Sequence, residues 1–333
     1  MSRNAPNNWD RPGNAGPTRW QHAWPWLRRA LTLLFFCGLA LLLVERGRAL
    51  DWAEVGASLA AYDAESLVLA GLLGAFSYAL YCSFDLFGRR YTGHKLSTTA
   101  VVSTAFVSYA FNLNLGALVG GIGFRYRLYS RYGLNAATIT RVLGLSMLSN
   151  WLGYLPLAGA VLASAVVSLP APFRVGEMAL QILGVVLLLT APAYLAVCAF
   201  SRRRYWRLRG LRIDLPHAPM ALAQLGLSTA NWLSIAGVVW MLLGGAADYP
   251  SVLAALLLGA IAGVLTHVPA GLGVLEAVFL ALLGGRINEA PILAALLAYR
   301  ALYYLLPGLI ALLVYLGLEA KARWRPLALR SSM

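Results

Sequence analysis

Long apolar runs with very few charges constrain the fold of this 333-residue chain more than any other feature. A helix that crosses a hydrocarbon core about 30 Å thick needs about 20 predominantly apolar residues. Six runs reach or approach that length: Leu27–Val44, Ser66–Phe87, Thr138–Ser168, Met178–Phe200, Ala218–Leu243 and Pro291–Leu318. Only 12% of the residues are charged, whereas soluble domains carry about 25%. The sequence therefore predicts an all-α, polytopic integral membrane protein and argues against a soluble enzyme.

Two further apolar stretches, Ser97–Phe124 and Ser251–Gly285, are interrupted by glycine, proline and polar residues. An irregular backbone cannot face lipid, because its N–H and C=O groups would lack hydrogen-bond partners. We therefore predict two re-entrant hairpins, each made of a helix, a turn at membrane depth and a returning helix. The predicted turn residues are Gly120, Gly121, Gly123, Pro269, Gly271 and Gly273.

The distribution of basic residues supports this topology. With six full spans and two hairpins, both termini lie on one side, and basic residues collect on the cytoplasmic side of a membrane. Of the 27 Lys and Arg residues, those in predicted outer loops are Arg46, Arg48, Arg174 and Arg286. The net charge of +14 is thereby assigned to inner loops rather than to nucleic-acid binding. We expect a multi-pass protein of the bacterial inner membrane with both termini in the cytoplasm.

The order span, span, hairpin, span occurs twice, which predicts two repeats. Each repeat has an odd number of spans, so the second is inverted relative to the first. The predicted domains are a disordered basic tail (1–26), a membrane domain (27–318, with repeats 27–168 and 178–318) and a basic cytoplasmic tail (319–333). Gly121-Ile-Gly123 matches Gly271-Leu-Gly273 between the repeats. Inverted repeats with helices broken near the bilayer midplane are typical of alternating-access transporters.

Ionisable residues at membrane depth are functional candidates, because each costs about 2.5–3.5 kcal/mol to insert. Glu276 follows the second turn, and Arg300 lies inside the last span. They form either a structural ion pair or a site in which Arg300 binds a phosphate and Glu276 a cationic headgroup. His267, Asn112 and Asn114 lie at the two turns and are further candidates.

The segment FRYRLYSRYGL (124–134) carries Arg125 and Arg127 among tyrosines. As a helix it is amphipathic enough to lie at the interface and contact anionic phospholipid, or it serves as an inner-side anchor. Asp85 lies close in sequence to Arg89 and Arg90, which predicts an interfacial salt bridge.

Signals for enzymatic or metal chemistry are weak. The histidines His22, His94, His217 and His267 are too scattered for a helical metal pair. No GxSxG motif is present, and each of the three cysteines stands alone in an apolar run. We therefore predict no catalytic residue, no metal and no cofactor.

Three segments in order resemble a known family: GGIGFRYRLYSRYGL (120–134), PAGLGVLEAVFLALL (269–283) and LLAYRALYYLLPGL (296–309). They are similar to the transmembrane region of lysylphosphatidylglycerol synthases, or multiple peptide resistance factors, which also occurs in stand-alone bacterial membrane proteins. The resemblance spans most of Leu27–Leu318. It departs at Pro269-Ala-Gly271, where the family often has Pro-Gly-Gly.

The resemblance implies movement of aminoacylated phosphatidylglycerol between leaflets. In the synthases a separate soluble domain makes this lipid, so we expect this chain not to synthesise it. The expected function is a lipid flippase or transporter whose partners are membrane lipids, chiefly anionic phospholipids. The alternatives are a solute or ion transporter with the same repeat, and a non-transporting membrane partner of a lipid- or glycan-modifying enzyme.

Overall fold

The computed structural model describes residues 52–164, 176–208, 211–266, 268 and 271–330. The predicted tail 1–26, the predicted span Leu27–Val44 and the candidate residues His267 and Pro269 lie outside these ranges.

The described elements are mostly helices. In chain order they are α1 (Trp52–Ala60), α2 (Ala64–Thr92), α3 (Thr98–Leu115), the π-helix π1 (Ala117–Gly123), α4 (Phe124–Arg131), α5 (Ala136–Ala163), α6 (Glu177–Leu188), α7 (Thr190–Phe200), β1 (Tyr205–Leu208), β2 (Leu211–Asp214), α8 (Ala218–Leu242), α9 (Tyr249–Thr266), α10 (Val274–Leu283), α11 (Glu289–Tyr299), π2 (Arg300–Leu305) and α12 (Leu306–Arg330). The all-α class is thereby confirmed.

Six helical segments of the described chain are long and apolar enough to cross a membrane: Ala64–Thr92, Ala136–Ala163, Glu177–Phe200, Ala218–Leu242, Tyr249–Thr266 and Glu289–Ala320. Five of them coincide with predicted spans. Tyr249–Thr266 is instead the first arm of the second predicted hairpin. The segment Glu177–Phe200 is interrupted at Leu189, because Pro192 has no N–H to donate to the carbonyl four residues earlier.

Two short strands in the central loop were not predicted. β1 pairs antiparallel with β2 in the register Tyr205 to Asp214. Their aromatic and branched residues favour extended structure, although the surrounding arginines indicated a loop.

The first hairpin returns to the end from which it starts. Leu96, just before α3, packs in one small cluster with Tyr129, Tyr132 and Leu134 at the end of α4. The chain reverses at Gly116, whose φ of +83° favours glycine. The predicted turn residues Gly120, Gly121 and Gly123 lie instead in the returning π1 helix, so that part of the prediction is wrong. The predicted hairpin shape is present.

Glycines in π1 allow the two arms to touch through their backbones. A Cβ added to Gly120 would lie 2.1 Å from the carbonyl atoms of Phe111. A Cβ added to Gly121 would lie 2.8 Å from the side-chain oxygen of Asn112. The glycine cluster therefore serves arm-to-arm packing rather than the reversal itself.

The second hairpin starts and ends at the opposite end. Ser251 donates to the carboxylate of Asp248 before α9, and the Arg286 guanidinium after α10 lies close enough to contribute, so the pKa of Asp248 is below its usual value. Gly271 and Gly273 lie in the turn with φ of +56° and +76°, as predicted.

Loops assigned to one side of the membrane contact each other. On the predicted inner side, Arg141 of α5 forms a salt bridge with Asp214 of the β-hairpin, and the backbone N–H of Asp214 donates to the hydroxyl of Tyr91. On the predicted outer side, the Tyr62 hydroxyl donates to the carbonyl of Leu242. The structure thus has two distinct ends that match the two predicted sets of loops.

The first arm of each hairpin packs on a long helix from the other half of the chain. α3 runs beside α12, where Phe111 contacts Tyr315 at 6.3 Å between ring centroids. α9 runs beside α5, where the Tyr154 hydroxyl donates to the carbonyl of Leu257 at 2.8 Å. The long helices α2 and α8 pack against each other between these pairs.

We predict that Gly120→Ala destabilises the protein by about 3 kcal/mol, because the new methyl group would overlap backbone atoms of Phe111 and force α3 and π1 apart. Gly123→Ala is the matched control, because its Cβ would lie 3.4 Å from the Leu118 carbonyl oxygen, an ordinary contact. Thermal unfolding of both purified variants in detergent measures the difference. Equal midpoints for the two variants would contradict the close backbone packing.

Candidate functional site

Both hairpin turns reach the same segment of the last long helix, π2. Pro307, just after π2, has no N–H to donate to the carbonyl of Tyr303 four residues earlier. The hydroxyl of Tyr78 donates to that carbonyl at 3.1 Å. The next carbonyl, that of Tyr304, accepts from the side-chain amide of Asn114 at 3.0 Å. Side chains from α2 and from the first hairpin therefore satisfy backbone groups at the helix irregularity.

The first hairpin turn can pack closely against the start of α12 because Gly308 has no side chain. A Cβ on Gly308 would lie 2.9 Å from the side-chain nitrogen Nδ2 of Asn114. Tyr304 lies near the middle of the 32-residue segment Glu289–Ala320. The turn of the first hairpin is therefore level with the middle of this span.

The second turn is attached to π2 by an ion pair. Arg300 Nε lies 2.6 Å from Glu276 Oε1, and Arg300 Nη2 lies 3.0 Å from Glu276 Oε2. The same Nη2 donates to the carbonyl of Gly271 at 3.1 Å. The guanidinium also lies over the ring of Tyr304, 5.5 Å from its centroid. The predicted partnership of Glu276 and Arg300 is present, as a bidentate pair.

This ion pair is partly exposed at the protein surface. The side chains of Arg300 and Glu276 are 11% and 18% exposed. Arg300 contacts Gly271 and Tyr304, and the next residues in the chain, Leu272 and Leu305, are each more than half exposed. The charged groups thus lie close to an apolar lateral face.

A buried hydroxyl cluster joins π2 to three other elements. The Ser77 hydroxyl lies 2.6 Å from the Tyr303 hydroxyl and donates to Asn231 Oδ1 at 2.7 Å. The Tyr303 and Tyr109 hydroxyls are 3.1 Å apart. The side-chain nitrogen of Asn231 is buried, and no hydrogen-bond partner for it lies within the described ranges. The sequence signal for this cluster is a polar residue inside an otherwise apolar run, such as Asn231 in Ala218–Leu243.

A second buried ion pair lies toward the predicted inner end. Arg125 donates from Nε and Nη2 to the two carboxylate oxygens of Asp85, both at 3.1 Å. Tyr129 donates to Asp85 at 2.8 Å. The Arg125 and Asp85 side chains are 2% and 0% exposed. Arg125 therefore joins the returning arm of the first hairpin to α2.

The predicted interfacial salt bridge of Asp85 with its sequence neighbours is wrong. Arg89 donates instead to the carbonyl of Leu96 and to the hydroxyl of Thr98. The reason is geometric, because the returning helix α4 brings Arg125 and Tyr129 against Asp85.

Arg127 lies apart from Glu276 and Arg300. It forms a salt bridge with Glu319 at 3.2 Å, and Arg131 does so at 2.8 Å. The Arg127 side chain is 61% exposed, so contact with anionic phospholipid stays a prediction. Of the described candidates, the structure brings Glu276, Arg300, Gly271 and Asn114 together at π2. Asn112 lies against π1.

The fold and this site define a polytopic, all-helical membrane protein with two hairpins that meet at a polar centre. The family described as "Lysylphosphatidylglycerol synthase TM region" matches residues 29–311, and the chain belongs to this family. The resemblance seen in the sequence motifs is thereby confirmed.

Two relatives extend this finding. The chain is 46% identical to the inner membrane protein YbhN of Escherichia coli over 301 residues, which is 90% of this chain and 95% of that protein. It is 31% identical over 251 residues to the uncharacterized protein slr0712 of Synechocystis, which is 73% of this chain and 78% of that protein. The matches support a multi-pass location in the inner membrane.

We predict that Asp85→Asn destabilises the protein more than Glu276→Gln. The first change leaves the Arg125 charge buried without a counter-ion, which costs about 3–5 kcal/mol. The second costs less, because Arg300 is partly exposed and keeps the Gly271 carbonyl. Arg131→Gln, at an exposed pair, is the control and should cost no more than about 1 kcal/mol. Thermal unfolding in detergent gives the order, and a larger loss for Glu276→Gln would refute it.

Proposed function

We propose that this protein moves phospholipid headgroups between the leaflets of the inner membrane, with aminoacylated phosphatidylglycerol as one substrate class. The observation that carries the proposal is the convergence of both hairpin turns on π2, beside the Glu276–Arg300 pair. A charged pair at this depth is costly to insert and marks a substrate pathway by default.

The chemistry of the pair fits a phospholipid headgroup. A guanidinium matches two phosphate oxygens, and a carboxylate matches an ammonium group. In the described conformation Arg300 and Glu276 bind each other, so a headgroup must exchange partners with them. Leaving one charge unpaired is costly. A headgroup that carries both a phosphate and an ammonium replaces both interactions at once.

The apolar surroundings fit a lipid whose chains stay in the bilayer. Leu118 beside the first turn is 79% exposed, and Leu272 in the second turn is 55% exposed. A headgroup at Arg300 can therefore remain attached to acyl chains that lie against these lateral faces.

The repeats 27–168 and 178–318 are part of the proposal. Packing of α3 on α12 and of α9 on α5 is the exchange of partners expected from two inverted repeats. In transporters of this architecture, rocking of one repeat against the other exposes a midplane site to each side in turn. Cytoplasmic termini follow from the basic residues of the predicted inner loops.

Reconstitution of the full chain in vesicles with labelled anionic and aminoacylated phospholipids tests this function. Arg300→Gln and Glu276→Gln should slow headgroup movement about 10- to 100-fold, the value of lost charge-assisted hydrogen bonds. Arg131→Gln, which breaks a peripheral pair, should keep the unmodified rate. Thermal unfolding of each variant separates a functional loss from a folding loss.

Lipid movement between leaflets at the same rate as in vesicles without protein would overturn the proposal. Uptake of small solutes without lipid movement would favour a solute transporter. Co-purification with a lipid- or glycan-modifying enzyme, together with no activity alone, would favour the non-transporting partner.

A further inference from the structure

We propose that a groove between α3 and α12 binds one anionic phospholipid of the leaflet on the predicted cytoplasmic side, with its phosphate at Arg89. This inference deepens the proposed function, and the groove's role as an entry site for the anionic phospholipids among the proposed substrates rests on that function. Binding itself does not require transport.

The groove has a polar end and an apolar end. It is an open groove with a volume of about 390 Å³, within the range of small-molecule sites. Its walls are Thr98, Thr99, Val102, Ser103, Phe106 and Val314. Hydroxyl groups lie on the first turns of α3, at the predicted inner end. The bulkier apolar side chains lie further along α3, as the chain of a lipid from that leaflet requires.

Arg89 lies at the polar end, and no described carboxylate forms a salt bridge with it. Arg89 Nη1 donates to the Thr98 hydroxyl at 3.0 Å and to the Leu96 carbonyl at 3.2 Å. Both acceptors are neutral, so neither of them is a counter-ion for the guanidinium. A guanidinium can bind two oxygens of a phosphate group at once.

The carboxylates at this end are already paired elsewhere. Among the described residues of the predicted inner end, Asp85 pairs with Arg125, Asp214 with Arg141, and Glu319 with Arg127 and Arg131. Lys95, in the loop between α2 and α3, is exposed. The mouth of the groove therefore has a surplus of positive charge, which selects an anionic lipid over a zwitterionic one.

The apolar end of the groove touches the polar centre. The ring of Phe106 packs on that of Tyr78 with 5.5 Å between centroids, and Tyr78 donates to the carbonyl of Tyr303 in π2. A lipid in the groove therefore extends from the inner end to the segment where the two hairpin turns meet.

Fluorescence quenching in lipid nanodiscs tests this binding without transport. In a background with Cys37, Cys82 and Cys198 replaced by alanine, Ser103→Cys carries a small fluorophore in the groove. Leu313→Cys, on an exposed face of α12, is the matched position. Phosphatidylglycerol and phosphatidylcholine with brominated chains are the quenchers, each diluted in the same unlabelled lipid.

At position 103 we expect brominated phosphatidylglycerol to bind about fivefold better than brominated phosphatidylcholine, the effect of one basic residue near the surface. At position 313 the two lipids should quench equally. Arg89→Gln should abolish the preference at position 103, whereas Arg90→Gln, which changes a neighbouring exposed arginine, should keep most of it.

Three outcomes would overturn the proposal: equal quenching by the two lipids at position 103, a preference that survives Arg89→Gln, or no quenching by either lipid. The last would mean that neither lipid enters the groove. Because quenching reports equilibrium binding, a protein that shows the preference but moves no lipid would refute only the proposed function.

Discussion

Pro307 removes one backbone hydrogen-bond donor from the middle of the last long helix. Side chains from neighbouring elements donate hydrogen bonds to the carbonyl groups at this irregularity. Water is absent from a hydrocarbon core, so backbone groups there need protein partners. Tyr78 donates to the carbonyl of Tyr303, and Asn114 donates to that of Tyr304. The Asn114 hydrogen bond holds the first hairpin turn against π2, the same segment that carries Arg300 of the Glu276–Arg300 pair.

The two ion pairs of the membrane domain differ in how far they are enclosed. Asp85 and Arg125 are fully buried, and Asp85 accepts a further hydrogen bond from Tyr129. These contacts hold α2 and α4 together. Glu276 and Arg300 are partly exposed beside an apolar lateral face. A pair that retains access can exchange its partners for those of a headgroup, and an enclosed pair cannot do so without unfolding its cover.

Much of the fold follows from the length of apolar runs and from the places where glycine interrupts them. The pairing of Glu276 with Arg300 was also predictable, because two opposite charges at membrane depth need each other. The partner of Asp85 was not predictable, because Arg89 is closer to it in sequence. Arg125 reaches Asp85 only because the returning helix α4 packs beside α2. The reversal at Gly116 rather than in the glycine cluster was missed for a similar reason: close backbone packing and a tight turn both use glycine. The hydroxyl cluster combines residues from four elements, which no local pattern contains.

Everything proposed for the polar centre depends on two hairpins that leave the membrane on the side from which they entered. The most direct measurement is accessibility of single cysteines in cells, in a background without Cys37, Cys82 and Cys198. Ser130→Cys lies at the end of the first hairpin and Arg286→Cys just after the second, and both positions are exposed. The account predicts that a membrane-impermeant thiol reagent added from outside the inner membrane labels position 286 and not position 130. Labelling of both positions from the same side would contradict the opposed hairpins and the site built on them.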